Sequence, residues 1–244
     1  MNSNGFSLIR LVPLATLVLC ALPGGARGET PAELLRRLEK QRTRVRTLHM
    51  ITKTTTRRGD TTRVSTAHTW EKRDGKVRKT RVKSQTSTVT KDRKARKSES
   101  APTLTVCDGR HEWRQTLVGD SVMVFKSKPT SNDEFGKLLA KARNGKAAIK
   151  GSEIILGQPC VVLEVRLARR GDRSKSTYWI SKAHGLILKS IITRAGRGRT
   201  EKTTTELHVN EPIADEQFVF TPPPGAAVVD TEAFGVKRPG AALP

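Results

Sequence analysis

Apolar and polar positions change period several times along this chain, and each change marks an element. Thr30 is a suitable N-cap, Pro31 a suitable first helical residue and Glu33 a first-turn acid. Leu34, Leu35, Leu38, Val45 and Leu48 then recur at three, four and seven, which predicts an amphipathic helix packed on a sheet. From His49 the period drops to two. His49–Arg58, Thr61–Arg73 and Val77–Thr90 read as Thr- and Val-rich strands, the last two joined through Asp74-Gly75, a strong hairpin signal. In the second of them Val64, Thr66, His68 and Trp70 share a face. Lys91 to Pro102 reads as a charged linker.

Thr103–Cys107, His111–Thr116 and Ser121–Phe125 read as short strands. A second helix starts after Thr130, carries Phe135, Leu138, Leu139 and Ala142 on one stripe, and ends at Asn144-Gly145. Ala147–Leu156 is extended, and Pro159–Ala168 alternates Val161, Leu163, Val165 and Leu167 inward. The chain is organised around Tyr178 to Val209, where apolar or β-branched runs are separated by turns at Gly185 and at Gly196 or Gly198. In its last run Thr203, Thr205, Leu207 and Val209 are expected on one face, and Thr204, Glu206 and His208 on the other. Phe218 and Phe220 dock a last short strand that Pro222 to Pro224 stop, and the final stretch reads as loosely ordered. The total is about ten antiparallel strands and two helices in one α+β domain.

The first residues are excluded from that domain. Arg10, an apolar stretch from Leu11 to Leu22, and Ala26-Arg27-Gly28 with small residues at −3 and −1 form the pattern of a secretory signal peptide cut before Glu29. Leu19 stands before Cys20, where a lipobox needs a small residue, so lipid attachment at Cys20 is not expected. The divisions are therefore a leader at 1–28, a domain at 29–230 and a flexible tail at 231–244. The mature cysteines are Cys107 and Cys160, both in predicted strands. Export permits one disulfide between them, and two buried thiols are the other reading.

Charge changes the picture most. Lys and Arg number 46 against 23 Asp and Glu, and residues 36–100 hold 22 of the basic and 6 of the acidic side chains. Such a field attracts phosphate-rich headgroups or anionic polymers. Arg57, Arg58, Arg73 and Arg78 are the candidates for an anionic membrane surface. Nucleic acid is not expected, because base stacking needs aromatic residues among the basic ones and residues 36–100 contain only Trp70. No catalytic constellation emerges: His111-Glu112 lacks the second His one turn on, and the histidines at 49, 68, 111, 184 and 208 have no metal-ligand spacing. No cofactor, no metal and no enzymatic activity are expected, although a site assembled from distant residues escapes such a search.

Four segments stand in order: Cys107-Asp-Gly-Arg-His-Glu-Trp113, Gly157-Gln-Pro-Cys-Val-Val-Leu-Glu164, Tyr178-Trp-Ile-Ser-Lys-Ala-His-Gly185 with the Leu-Ile-Leu-Lys that follows, and Asn210 to Gly225. Together they resemble the outer-membrane lipoprotein carrier (LolA/LolB-like) superfamily, which includes the RseB/MucB-type domains. The chain departs from the pattern at Ser181, where Asp is frequent, and at Ile187, where Pro is common. The resemblance implies a half-open antiparallel β-barrel whose concave face is closed by two helices, with a cavity for acyl chains. Under that implication the lining falls to Leu34, Leu35, Leu38, Val64, Trp70, Trp113, Val122, Phe135, Leu138, Leu139, Val161, Leu163, Val165 and Trp179. The implied protein is a monomeric periplasmic carrier of lipid or lipoprotein acyl chains. The alternative is a non-enzymatic sensor or binding module of the RseB/MucB kind, for an envelope protein or anionic polymer.

Overall fold

The computed structural model describes residues 29–75, 77–91, 96–130, 133–169 and 172–233, so the expected leader and most of the expected tail lie outside the described residues. Within them α1 (Pro31–Arg42) precedes β1 (Thr47–Arg58), β2 (Thr61–Asp74), β3 (Val77–Thr90), β4 (Arg96–Glu99), β5 (Thr103–Cys107), β6 (Glu112–Val118) and β7 (Ser121–Ser127). After α2 (Glu134–Asn144) come β8 (Lys146–Ile155), β9 (Gln158–Arg169), β10 (Asp172–Ser181), β11 (Ile187–Arg194), β12 (Gly198–Val209) and β13 (Ala227–Asp230). All thirteen strands join one sheet in the order β13-β7-β6-β5-β3-β2-β1-β12-β11-β10-β9-β8, with β4 added to β3. The sheet is open, with β8 and β13 as its edges, rather than a half-barrel of ten strands. Two of the additional strands come from a segment read as a charged linker and from the loosely ordered stretch at the end of the domain. Arg96–Glu99 pairs with the end of β3, and Ala227–Asp230 runs parallel to β7.

The core sits where both helices meet one face of β9 and β10. Thr30 and Glu33 close a reciprocal capping box at the start of α1, which satisfies two otherwise orphaned N–H groups. The α1 stripe then presents Leu34, Leu35 and Leu38 to Phe135 and Leu138 of α2, Val161, Leu163 and Val165 of β9, and Tyr178 and Ile180 of β10. Each such side chain removed from water contributes about 2 kcal/mol. Arg42 pairs with Asp133, joining the end of α1 to the start of α2. The helix stops at Arg42, so Val45 and Leu48 are not on its stripe. They lead into and begin β1, in a second cluster with Cys160, Val162, Trp179, Leu186 and Leu188.

Residues directly opposite in neighbouring strands share a face. His208, His49, Trp70, Arg81, Val106, Trp113 and Lys126 therefore form one row across seven strands, on the face away from Leu163 and Tyr178. The segment after β12 crosses this row as a strap. Asn210 begins it with a positive φ of 63° and bonds Arg46 N and Thr47 O. Asp215 meets Lys72 and Lys79 at 3.1 and 2.9 Å, Arg81 donates to Gln217 O, and Phe220 stacks on Trp113 at 5.6 Å. Phe218, expected on a strand, instead ends a 3-10 turn at Asp215–Phe218 and is fully buried. Thr231, the first residue of the expected tail, is also buried and bonds Lys126 O.

A bulge reverses one sequence expectation. Lys53 lies opposite Thr203 but His49 lies opposite His208, so one residue of β12, Thr205, has no partner in β1. The extra residue shifts the alternation. Thr203 consequently shares a face with Glu206 and His208 instead of opposing them.

The Ser181–Gly185 turn rests directly on α1. Gly185 has φ +63°, and a Cβ there would lie 2.1 Å from the Leu38 carbonyl oxygen. Gly185→Ala is expected to cost about 2–4 kcal/mol through backbone strain and displacement of α1. Urea unfolding checks this, and a loss below about 0.5 kcal/mol would contradict the close approach.

Candidate functional site

The fourteen residues nominated for a lining fall on two faces. Leu34, Leu35, Leu38, Phe135, Leu138, Val161, Leu163 and Val165 lie in one packed cluster, each at most 4% exposed, with Leu139 against its margin. By the pairing register Val64, Trp70, Trp113, Val122 and Trp179 belong to the opposite face. Trp70 lies under the strap, Trp113 stacks on Phe220, and Trp179 donates to Glu153 at 2.7 Å with the Lys189 ammonium over its ring. The nominated set therefore does not converge on one space. Cys107 and Cys160 are buried free thiols on separate strands, β5 and β9. Burial pushes both thiols up, which leaves neither an activated thiolate.

Positive charge concentrates on the face that carries the strap. Lys53, Arg57, Lys72, Lys79, Arg81, Lys83, Lys189 and Arg199 share it by register. The strap's Asp215 engages Lys72 and Lys79, and Glu201 engages Lys189 and Arg199. Among the described residues Lys53 and Arg57 have no carboxylate partner. They line a cleft of about 330 Å³ with Thr55, Arg199, Glu201, Thr203 and Thr205, along the β1–β12 pair. The four arginines nominated for an anionic surface divide. Arg57 is in this cleft and Arg58 is exposed at the β1–β2 turn, whereas Arg73 and Arg78 clasp the buried Glu71 at 2.7 and 2.6 Å.

Beyond the bulge, the same strand pair makes a second site that residue spacing did not reveal. His49 of β1 stacks on His208 of β12, with ring centroids 5.5 Å apart, and on Trp70 of β2 at 4.9 Å. Glu206 and Glu211 each accept or share a proton with His208 at 3.0 Å, one on each ring nitrogen. Glu211, then Glu206, hold the His208 ring above the ordinary histidine pKa, while burial pulls His49 below it. One donor atom each from His49, Glu206 and His208 lies within 4.8 Å of the others. A cleft of about 260 Å³ opens here between His49, Trp70, His208 and the strap residues Glu211 to Ala214 and Gln217. The alternation of Glu206 and His208 was visible in the sequence; that His49 faces them depends on β1 pairing with β12.

Residues 131–232 match a family model, DUF2092, described as a predicted periplasmic protein. No curated protein matches the sequence. Among solved structures, a MucB crystal structure is similar over 81% of this chain and 64% of its own, at TM-score 0.53 and 19% identity. The fold is similar to that of about two thirds of MucB. The Pseudomonas aeruginosa MucA/MucB complex is similar at TM-score 0.50 and 16% identity, over 78% of this chain and 60% of that one. This chain thus spans less than two thirds of either MucB chain. A putative outer-membrane lipoprotein-sorting domain from Vibrio parahaemolyticus covers 75% of this chain and 95% of its own, at 14% identity and TM-score 0.33, a likeness too faint to carry an argument.

The clasp on Glu71 has a pH signature. Burial alone would raise the Glu71 pKa, but hydrogen bonds and charge from Arg78 and Arg73 outweigh it and hold the carboxyl below its ordinary value of 4.5. A depressed carboxyl stabilises the fold above that ordinary value, and the contribution is lost as pH falls through the folded value. Glu71→Gln is expected to lose about 2 kcal/mol at pH 7. The difference from the parent should shrink below pH 4.5. Denaturant titrations from pH 7 downward measure it, and a pH-independent difference would mean that charge is not the cause.

Proposed function

We propose that this protein is an exported, non-enzymatic binding module of the cell envelope that engages an anionic ligand on its basic sheet face. The observation that carries the reading is the cleft of Lys53, Arg57 and Arg199, which offers two uncompensated cations on a solvent-facing wall. Phosphate-bearing lipid headgroups match that chemistry. The family model's description as periplasmic supports an envelope location.

A carrier of acyl chains would need an open apolar space beneath the helices. Close packing of Leu38, Leu138 and Leu163 there supports the binding module over the carrier. MucB, whose fold is similar, is solved in complex with MucA, and a protein partner is the second ligand to test.

Cosedimentation with phospholipid vesicles separates the readings. Binding is expected to anionic vesicles and not to zwitterionic ones, and to weaken with added salt as the charges are screened. Neutralising Lys53, Arg57 and Arg199 together to Gln should weaken it on the order of 100-fold, at about 1 kcal/mol for each cation near an anionic surface. Unchanged binding would reduce the basic cleft to background. Native mass spectrometry of the same preparation is expected to give the bare polypeptide mass. Extra mass lost on organic extraction, with displacement of a fluorescent fatty acid, would establish the carrier instead. Leu138→Glu should abolish folding, because it buries a charge in the packed core; a folded variant that has lost lipid uptake would again favour the carrier.

A further inference from the structure

We propose that His49, Glu206 and His208 form a binding site for a divalent transition cation of the zinc type. Two imidazoles and one carboxylate are a donor set that zinc accepts, with the fourth position left to water or a ligand. Strand pairing supplies the constellation: His49 and His208 are directly opposite in β1 and β12, and Glu206 is two residues before His208 on the same face. Their donor atoms already lie within 4.8 Å of one another.

Three further observations point to a ligand here. His49 Nε2 is a buried ring nitrogen with no hydrogen-bond partner among the described residues. Its ring is held flat against Trp70 at 4.9 Å, so an entering ion meets a positioned donor, and the His208 ring stacked on its other face at 5.5 Å must turn to aim its own nitrogen at that ion. Glu211 meets His208 Nδ1 at 3.0 Å from the strap. Such a carboxylate orients a metal-bound imidazole and leaves its Nε2 for the ion. The 260 Å³ cleft beside the three residues gives access and room for the fourth ligand.

Binding requires a local change only. His208 Nε2 now meets Glu206 at 3.0 Å, sharing a proton that the ion would replace. Zinc–nitrogen bonds of about 2.0–2.1 Å bring ligand atoms within roughly 3.4 Å of one another. The remaining approach falls to Glu206 and His208, whose side chains are 46% and 40% exposed and have solvent to turn into. This site is distinct from the Lys53–Arg57 cleft and does not depend on the anionic-ligand reading.

The test is calorimetric titration of the purified, EDTA-treated protein with zinc, repeated with cobalt(II) for its visible spectrum. One ion per chain is expected, with a cobalt spectrum of low coordination number. Glu206→Gln and His208→Gln change partly exposed side chains, so both variants should keep the parent's thermal unfolding in EDTA. Each should weaken zinc by more than about 10-fold, and Glu211→Gln by about 10-fold. His68→Ala and His111→Ala should leave the affinity unchanged. Absence of stoichiometric binding by the parent, or undiminished binding by Glu206→Gln or His208→Gln, overturns the proposal.

Discussion

Everything else in this molecule depends on β9 and β10 being buried on both faces. Leu163 and Tyr178 lie opposite one another under the two helices, and their neighbours Val162 and Trp179 lie opposite one another on the other side. An antiparallel pair usually keeps one face for water. Here both faces are apolar, so the pair acts as a central wall to which α1, α2, the Ser181–Gly185 turn and the start of β1 are attached. Polar atoms in the wall find partners: Trp179 donates to Glu153, and Ser181 to Gln158. That follows from the cost of leaving such groups unpaired away from water.

With the apolar load carried there, β1, β2 and β3 can be long and polar. Their stability comes from ladders of ten to fourteen residue pairs rather than from a deep core of their own. Threonine suits a half-buried pleated surface, and lysine and arginine keep it soluble. The strap completes this half of the sheet. Asp215 neutralises two lysines of the basic face, and Phe218 and Phe220 bring the apolar cover that the strands lack.

The bulge at Thr205 connects this architecture to chemistry. Without the extra residue, a register that pairs Lys53 with Thr203 would put His208 on the helix side of the sheet. With it, the cationic cleft and the His–Glu cluster occupy one face of the same two strands, separated by the bulge. A single irregularity thus places a cationic wall and a His–Glu cluster on one face of the same strand pair.

Local sequence determined a great deal. Periodicity gave both helices, the long hairpins and the α1 cap, because amphipathic spacing and capping act within a few residues. It also placed the turns at Gly185 and at Gly196 or Gly198, and all three glycines take positive φ. The four-segment resemblance anticipated a MucB-type fold. Other features were not legible, and each involves residues far apart in the chain. The opening of the sheet and the parallel docking of β13 depend on which edge the strap reaches. The clasp of Arg73 and Arg78 on Glu71, the face reversal after Thr205 and the meeting of His49 with His208 depend on register. Sequence spacing fixes what one strand presents; only pairing between distant strands decides what it faces.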